Sequence, residues 1–524
     1  MLFLGKIKLM QHIVPMDRYQ VSFSSLEELV AADDPVRFLD AFAEKLDLSK
    51  LGFKTKVIQQ EGRPPSFNPR VLLKIYLYGY QNGIRSSRRL EKECKRNTEM
   101  QWLCGKLVPN YHTIADFRKD NPVALKNMFK LFVAFLMDAG LISGKTIAID
   151  GTKSRAHNSK KNNYSPKKIE RHLQYIEDKT LEYLTQLDAE DKEESTELIG
   201  DLQDKIERLQ MNQIKYEMLS DLLTESGEPQ ISTTDPDSRS LLIQGQVVEV
   251  CYNTQTAVDD KHKLVVATHT INRNDRNALS AIALEAKENL KANEFTLLAD
   301  KGYNNAREIE SCQQNDLKTI VAQQELVNSN PKGTTKEYLV DKFKYNKKND
   351  TYTCPEGQTL TTFGTWHTKK RDDKISYQYK KYRTPACKNC PVKQLCTGRQ
   401  KGGREIERSQ YAEAVERNNK NYSQNQTLYR KRQEINEHIF GTIKRKWGYY
   451  YTNLIGLEKV NGEWSFIMLN YNIKRVLNIF TLDDLLLTLK NWKPKYSKEW
   501  LLAFIATHFN RIIRFNYFQP NFAA

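Results

Sequence analysis

Five short runs of apolar and β-branched residues most constrain what this chain can fold into. They are TIAID (146–150), VVEVCYNTQT (247–256), KLVVATHTI (263–271), FTLLAD (295–300) and KTIVA (318–322). Each has strand length and β composition. Helical patterns such as ALSAIALEAKENLK (278–291) fall between some of them. Strands followed by helices imply an α/β core around a largely buried sheet. Two of the runs carry an aspartate at their ends, Asp150 and Asp300. A carboxylate at the carboxyl end of a strand lies where α/β sheets place ligands.

A third acid, Glu437, stands in the basic string QEINEHIFGTIKRK. Two strand-end carboxylates and one on a helix can chelate a pair of hard divalent cations. Helical spacing places Arg430, Glu437, Gly441 and Lys444 on one stripe, seven residues being close to two turns. Tyr429, Phe440, Ile443 and Trp447 form an adjacent apolar stripe able to bury against the sheet. Asp235, Asp237, Asp259, Asp260 and Asp275 are competing acids that rank below the trio.

With 524 residues the chain should hold several domains. Lys and Arg number 81 against 64 Asp and Glu, a formal charge of +17, which favours a polyanionic partner. A metal pair beside dense positive charge points to cutting and joining of phosphodiester backbones. No apolar stretch reaches 18 residues, so no membrane span is expected. The start, MLFLGKIKLM, is too short and charged for a signal peptide.

Residues 25–135 read as helical through LEELV, PVRFLDAFAEKL, PRVLLKIYLYGYQ and PVALKNMFKLFVAFLMDAG. Residues 85–96 carry six basic side chains against two acidic, including Arg85, Arg88, Arg89 and Lys92. A basic helix, a Gly-containing turn and a helix capped by Thr113, with Asp116 three residues on, fit a DNA-binding helix-turn-helix. From 165 to 225 the apolar positions Ile169, Leu173, Ile176, Leu198, Leu202, Ile206 and Leu209 predict a helical hairpin. GEPQISTTDPDSRS after it reads as loop. Cys354, Cys387, Cys390 and Cys396 cluster in a polar segment, where four thiolates suit one tetrahedral structural Zn²⁺. Residues 380–405 hold eight basic residues and one acidic, so that segment is expected to face DNA. His438, beside Glu437, reads as a structural or hydrogen-bonding histidine.

TIAIDGTK, LLADKGY and YRKRQEINEHIFGTIKR resemble the three active-site blocks of bacterial insertion-sequence DDE transposases with a Tyr-Arg-Glu-Lys signature, Y-x2-R-x3-E-x6-K. Tyr429 and Arg432 match Y-x2-R, and Glu437 and Lys444 match E-x6-K. The Arg-to-Glu spacing is one residue longer than the signature, which expects its arginine at Gln433. The signature thus favours Arg432 and the helical stripe favours Arg430. YNTQTAVD and NDRNA resemble other recurring blocks, and 66–125 resembles the N-terminal DNA-binding region of this group.

The resemblance implies a ribonuclease H-like core with two Mg²⁺, or Mn²⁺, at Asp150, Asp300 and Glu437. It implies Tyr429, the signature arginine and Lys444 on the DNA, and cut-and-paste transposition of element ends into a target duplex. The expected order is a helical DNA-binding domain (1–135), a first core part (136–335) holding a helical insertion (160–240), a Cys-rich zinc insertion (336–405), the end of the core (406–482) and a tail (483–524). A homodimer on double-stranded DNA, in the bacterial cytoplasm with the nucleoid, completes the expectation. A metal-dependent nuclease without strand transfer, or a catalytically silent DNA-binding regulator, are the alternatives.

Overall fold

The computed structural model describes residues 16–21, 23–55, 67–190, 196–243, 247–323, 334–370 and 376–497. The leading MLFLGKIKLM, side chain 198 and the tail beyond 497 lie outside the described residues. At the centre is a six-stranded sheet: β1 (Thr146–Arg155), β2 (Arg239–Ile243), β3 (Val247–Asp259), β4 (Val265–Ile271), β5 (Phe295–Ala299) and β6 (Leu317–Val321). The long β3 pairs antiparallel with β1 on one edge. On its other edge it pairs with β4 and, further along, β2. Beyond β1 the sheet turns parallel through β5 and β6. All five predicted runs are strands; β2 is an addition, its first residues lying in the segment expected to be loop.

The β1 strand runs on past the apolar run. Asp150 is therefore mid-strand, opposite Thr256, rather than at a strand end as expected. The polar continuation Gly151–Arg155 stays extended because β3 offers a matching antiparallel ladder, Gln255 back to Cys251. Composition conceals this, since the facing Asn253, Thr254, Gln255 and Thr256 are polar yet almost wholly buried.

Helices cover the sheet. Pro69–Gln81 and Pro122–Asp138 each open with Pro at the first turn, where a missing N–H costs nothing. Pro122–Asp138 lies against the long helix Leu457–Leu477. Gly462 permits that crossing, because a Cβ there would stand 2.6 Å from the Pro122 backbone. Trp464, fully buried on the same helix, donates from Nε1 to Ser154 Oγ of β1 at 3.2 Å. One apolar cluster runs from Val36 and Phe38 through the sheet to Trp492 and crosses residue 135 without a break. LEELV, expected to be helical, forms turns instead, with the Arg37 side chain donating to Val30 and Ala31 carbonyls.

The predicted hairpin is present as Pro166–Glu190 and Thr196–Ser226, with Tyr164, Ile169, Leu219 and Leu223 packed at its base. The Cys-bearing segment has a small aromatic core of its own: Phe343, Tyr352, Leu360, Tyr382 and Ile406. Among the described residues no helix is long and apolar enough to cross a membrane.

Candidate active site

The parallel register pairs Ala148 with Leu298. Two residues on, where β5 ends, Asp150 and Asp300 emerge beside each other, on strands about 4.8 Å apart. Asp300 Oδ1 accepts from Gly302 N at 2.8 Å and caps the turn Lys301–Tyr303. Asp150 Oδ1 accepts from Gly151 N at 2.8 Å, and Arg432 Nη1 stands 3.4 Å from its Oδ2. Burial pushes the Asp150 carboxyl up to about 6. Arg432 and the Gly151 N–H oppose that rise, whereas Asp300 and Asp275 add to it.

Helix Gln426–Phe440 lies across β1. Ile435 and Ile439 are fully buried, and Tyr429 and Phe440 pack against the main core. That burial turns Arg432 and Asn436, four residues apart, toward the sheet. Arg430 lies about 200° round the helix from Arg432 at 100° per residue, and is exposed. The stripe expected from Glu437 alone therefore does not include Arg430 at the aspartate. Asn436 is 2% exposed, and neither its Oδ1 nor its Nδ2 meets a partner among the described residues; nor does Arg432 Nε.

Glu437 is exposed and accepts from Gln433 Nε2 at 2.7 Å. The position where the signature expects arginine thus touches the glutamate as a neutral amide. Past Phe440 the helix widens into a π turn, Gly441–Lys446, a local device frequent at functional sites. Asp150, Glu437, Gly441, Lys444, Lys153 and Arg445 all line one cavity of about 800 Å³. Lys444 Nζ donates to Lys153 O at 2.7 Å, and burial pulls its ammonium below the ordinary lysine value. Trp447 is half-buried against the core beside Tyr449, centroids 5.5 Å apart. His438 bridges helices rather than facing the cavity, with Nδ1 2.8 Å from Tyr471 Oη and Nε2 3.3 Å from Arg475 Nη1.

The basic N-terminal segment divides. Arg88, Arg89 and Lys92 are exposed on helix Ser87–Arg96. Arg85, expected beside them on the DNA face, is only 6% exposed. It donates to Tyr451 O at 2.8 Å, lies over the Tyr449 and Tyr451 rings, and reaches the buried Glu463 at 3.6 Å. Arg118 joins that carboxylate at 3.8 Å, so the buried acid is compensated. The helix expected to start at Thr113 begins at Tyr111. Asn110 caps it, accepting from Thr113 N at 2.8 Å, and a further helix, Thr98–Cys104, precedes it.

The four clustered cysteines are free thiols in one neighbourhood. Cys354 and Cys396 pack on the same aromatic core. Burial pushes Cys396 up to about 11; Arg404 opposes this, and Cys387, Cys354 and Cys390 add their repulsion. Among the described residues no three His, Cys, Asp or Glu side chains are gathered closely enough to hold a metal ion, here or at the carboxylates.

Residues 24–120 match a family described as "Transposase domain (DUF772)", and residues 353–477 match one described as "Transposase DDE domain". The chain is a DDE transposase. It is a DNA transposase, in a family that cuts and transfers DNA strands with divalent metals. The DDE match contains Glu437 and the four clustered cysteines and begins after both aspartates. A solved structure, "Cryo-EM structure of piggyBac transposase synaptic complex with hairpin DNA (SNHP)", aligns over 93% of this transposase and 83% of that chain. Identity is 9% and the TM-score 0.31. No curated protein matches this transposase.

Selecting for strand-end acids passed over Asp275. It follows β4 in the NDRNA block and sits beside Gly151, where a built Cβ would stand 2.6 Å from its Oδ1. The resemblance of that block to a recurring transposase segment was the available signal.

Proposed function

We propose that Asp150, Asp300 and Glu437 form the metal site of this transposase. They would hold two Mg²⁺, or Mn²⁺, to cleave insertion-sequence ends and join them to a target duplex. The observation that carries this is the shared cavity. Asp150 and Glu437 line it together with Lys153, Lys444 and Arg445, so hard oxygen donors and phosphate-binding cations face one space. The sheet supports a ribonuclease H-like reading: the antiparallel-paired β4, β3 and β1, with β2 added beside β4 on the β3 edge, continue into the parallel β5 and β6, and the two aspartates sit where β1 and β5 part.

Carboxylate oxygens are the donor type such ions take, and binding would have to draw the three acids closer than they stand here. Asp150 is burdened by burial and by two neighbouring acids, a strain that an entering cation relieves. Bound there, the metal pair would supply Lewis acidity to the attacking and leaving oxygens. The chain's own groups do the rest. Lys444, fixed to the β1 backbone, and Lys153 and Arg445 bind backbone phosphates, giving affinity and register rather than sequence choice. Arg432 balances the Asp150 charge while the strand is positioned. Water first attacks phosphorus and frees a 3′-OH. That hydroxyl then attacks a target phosphodiester, one P–O bond breaking for each formed.

The helices of 1–135 would bind the ends through Arg88, Arg89 and Lys92. The hairpin within 160–240 and the segment 336–405 would be insertions in the core, and two copies would act together on DNA in the bacterial cytoplasm. In 336–405 the four cysteines supply the donor type and number for one structural Zn²⁺, which would have to draw the thiols together. In the turn after Cys354, Gln358 N–H donates to Cys354 Sγ at 3.3 Å, a contact that would also favour the thiolate form. The test is strand transfer with a pre-cleaved end. Joined product supports transposition, whereas efficient Mg²⁺-dependent cleavage with no joining would leave a nuclease.

A further inference from the structure

The helices Pro166–Glu190 and Thr196–Ser226 pack chiefly on each other, with a small apolar cluster at their base. The second helix also turns large apolar side chains to water. Met211, Ile214, Met218 and Leu222 are between 47% and 68% exposed. Their spacing of three, four and four residues confines them to about 80° of the helix circumference. His172 stacks on Tyr216, ring centroids 4.7 Å apart, and so fixes the register of the two helices. Tyr175, on the first helix, is therefore level with residue 213. It is 56% exposed, and helical phase turns it to the same face as the Met211–Leu222 stripe. The opposite face is that of Leu181, Leu184, Gln213 and Glu217, which line a cavity of their own.

The five side chains present roughly 600 Å² on one face, the size of patch that marks an interaction site on a soluble protein. Charge decides the class of partner. Residues 166–226 hold 16 acidic and eight basic side chains, in a chain whose formal charge is +17. Such a surface repels a polyanion, so the face suits protein and not DNA.

Area and charge pattern together favour a second copy. Pairing the face with itself covers about 1,200 Å², which reaches the lower limit of stable, specific interfaces. A two-fold axis along the hairpin lays the first helix of one copy antiparallel over the second helix of the other, the layout of a four-helix bundle. Lys168 and Arg171 lie on the patch side of the first helix, and Asp221 on that of the second, at nearly the same level. The two-fold therefore brings the bases of each copy over the acid of the other, an arrangement that fixes register.

We infer that this face is an interface between two copies of the chain, the two hairpins joining as a four-helix bundle. The inference gives a surface to the two-copy reading above and rests on it.

The test is the oligomeric state of the full chain without DNA, by sedimentation over a range of concentrations. The proteins are wild type, Ile214→Asp, Met218→Asp and, on the opposite face, Leu181→Asp. All three substitutions fall on exposed positions, and helix content by circular dichroism checks that each variant folds. Wild type should dimerise. Ile214→Asp and Met218→Asp should each weaken the dimer by about 30-fold or more, while Leu181→Asp matches wild type. A wild-type dimer untouched by Ile214→Asp and Met218→Asp would overturn the inference and leave the two copies meeting elsewhere. Equal weakening by Leu181→Asp would overturn it too, since the hairpin as a whole and not this face would then matter. Lost DNA affinity in variants that stay dimeric would assign the face to DNA and overturn it. A wild type monomeric throughout would overturn the inference together with the two-copy reading of the free chain.

Discussion

Arg432 and Arg430 are two residues apart, and the fold gives them opposite fates. Arg432 Nη1 lies 3.4 Å from Asp150 Oδ2, with side chains 18% and 28% exposed. Two unit charges at that distance attract by about 5 kcal/mol at an effective dielectric near 20. Solvent at both groups reduces this, and hydrogen bonds to charged partners contribute about 1.5–3 kcal/mol net. If that contribution persists to the transition state, Arg432→Ala slows cleavage by roughly 10- to 150-fold. Arg430→Ala removes an exposed side chain on the far side of the helix and should change the rate less than about threefold, within the usual range for surface substitutions. The assay is single-turnover Mg²⁺-dependent cleavage of an end-containing duplex, with DNA affinity measured separately. Equal losses in the two variants, or a larger loss for Arg430→Ala, would refute the geometry argued for this helix.

Purified protein should carry one Zn²⁺ per chain, with Cys390→Ser and Cys396→Ser losing it. Metal analysis showing no zinc, with all four clustered thiols freely reactive, would reject that site. Arg85→Ala should lower stability by about 1–3 kcal/mol, because it removes one of two cationic partners of buried Glu463 while Arg118 remains, and should leave the salt dependence of DNA binding unchanged. Replacing Arg88, Arg89 and Lys92 together should do the reverse, reducing the salt slope by roughly 0.9 per lost phosphate contact. Unaltered slope in the triple variant, or altered slope in a folded Arg85→Ala, would move the DNA face elsewhere.

The strands were legible because the runs are short and rich in β-branched and aromatic residues, which favours strand over a buried helix. Where β1 ends was not, because its last five residues are held by a ladder to another polar stretch and not by their own burial. Charge counting marked 85–96 as basic but could not orient it. Arg85 precedes the helix and turns inward to an acid 378 positions later, a contact no local pattern encodes. On the glutamate helix, spacing from Glu437 alone selected Arg430. The inward face is instead set by Ile435 and Ile439, and that face carries Arg432 and Asn436. The π turn after Phe440 adds a residue that a 3.6-residue period cannot anticipate. Asp275 ranked below the trio because it ends no apolar strand run, and the room that Gly151 leaves for it is not visible in the sequence.

The measurement that bears most directly on the central claim is Mg²⁺-dependent end cleavage by Asp150→Asn, Asp300→Asn and Glu437→Gln, each checked for end binding. Each isostere keeps shape and removes one negative charge. Cleavage should vanish in all three while end binding persists. Near wild-type cleavage by any one of them would remove that residue from the metal site and contradict the account built on it.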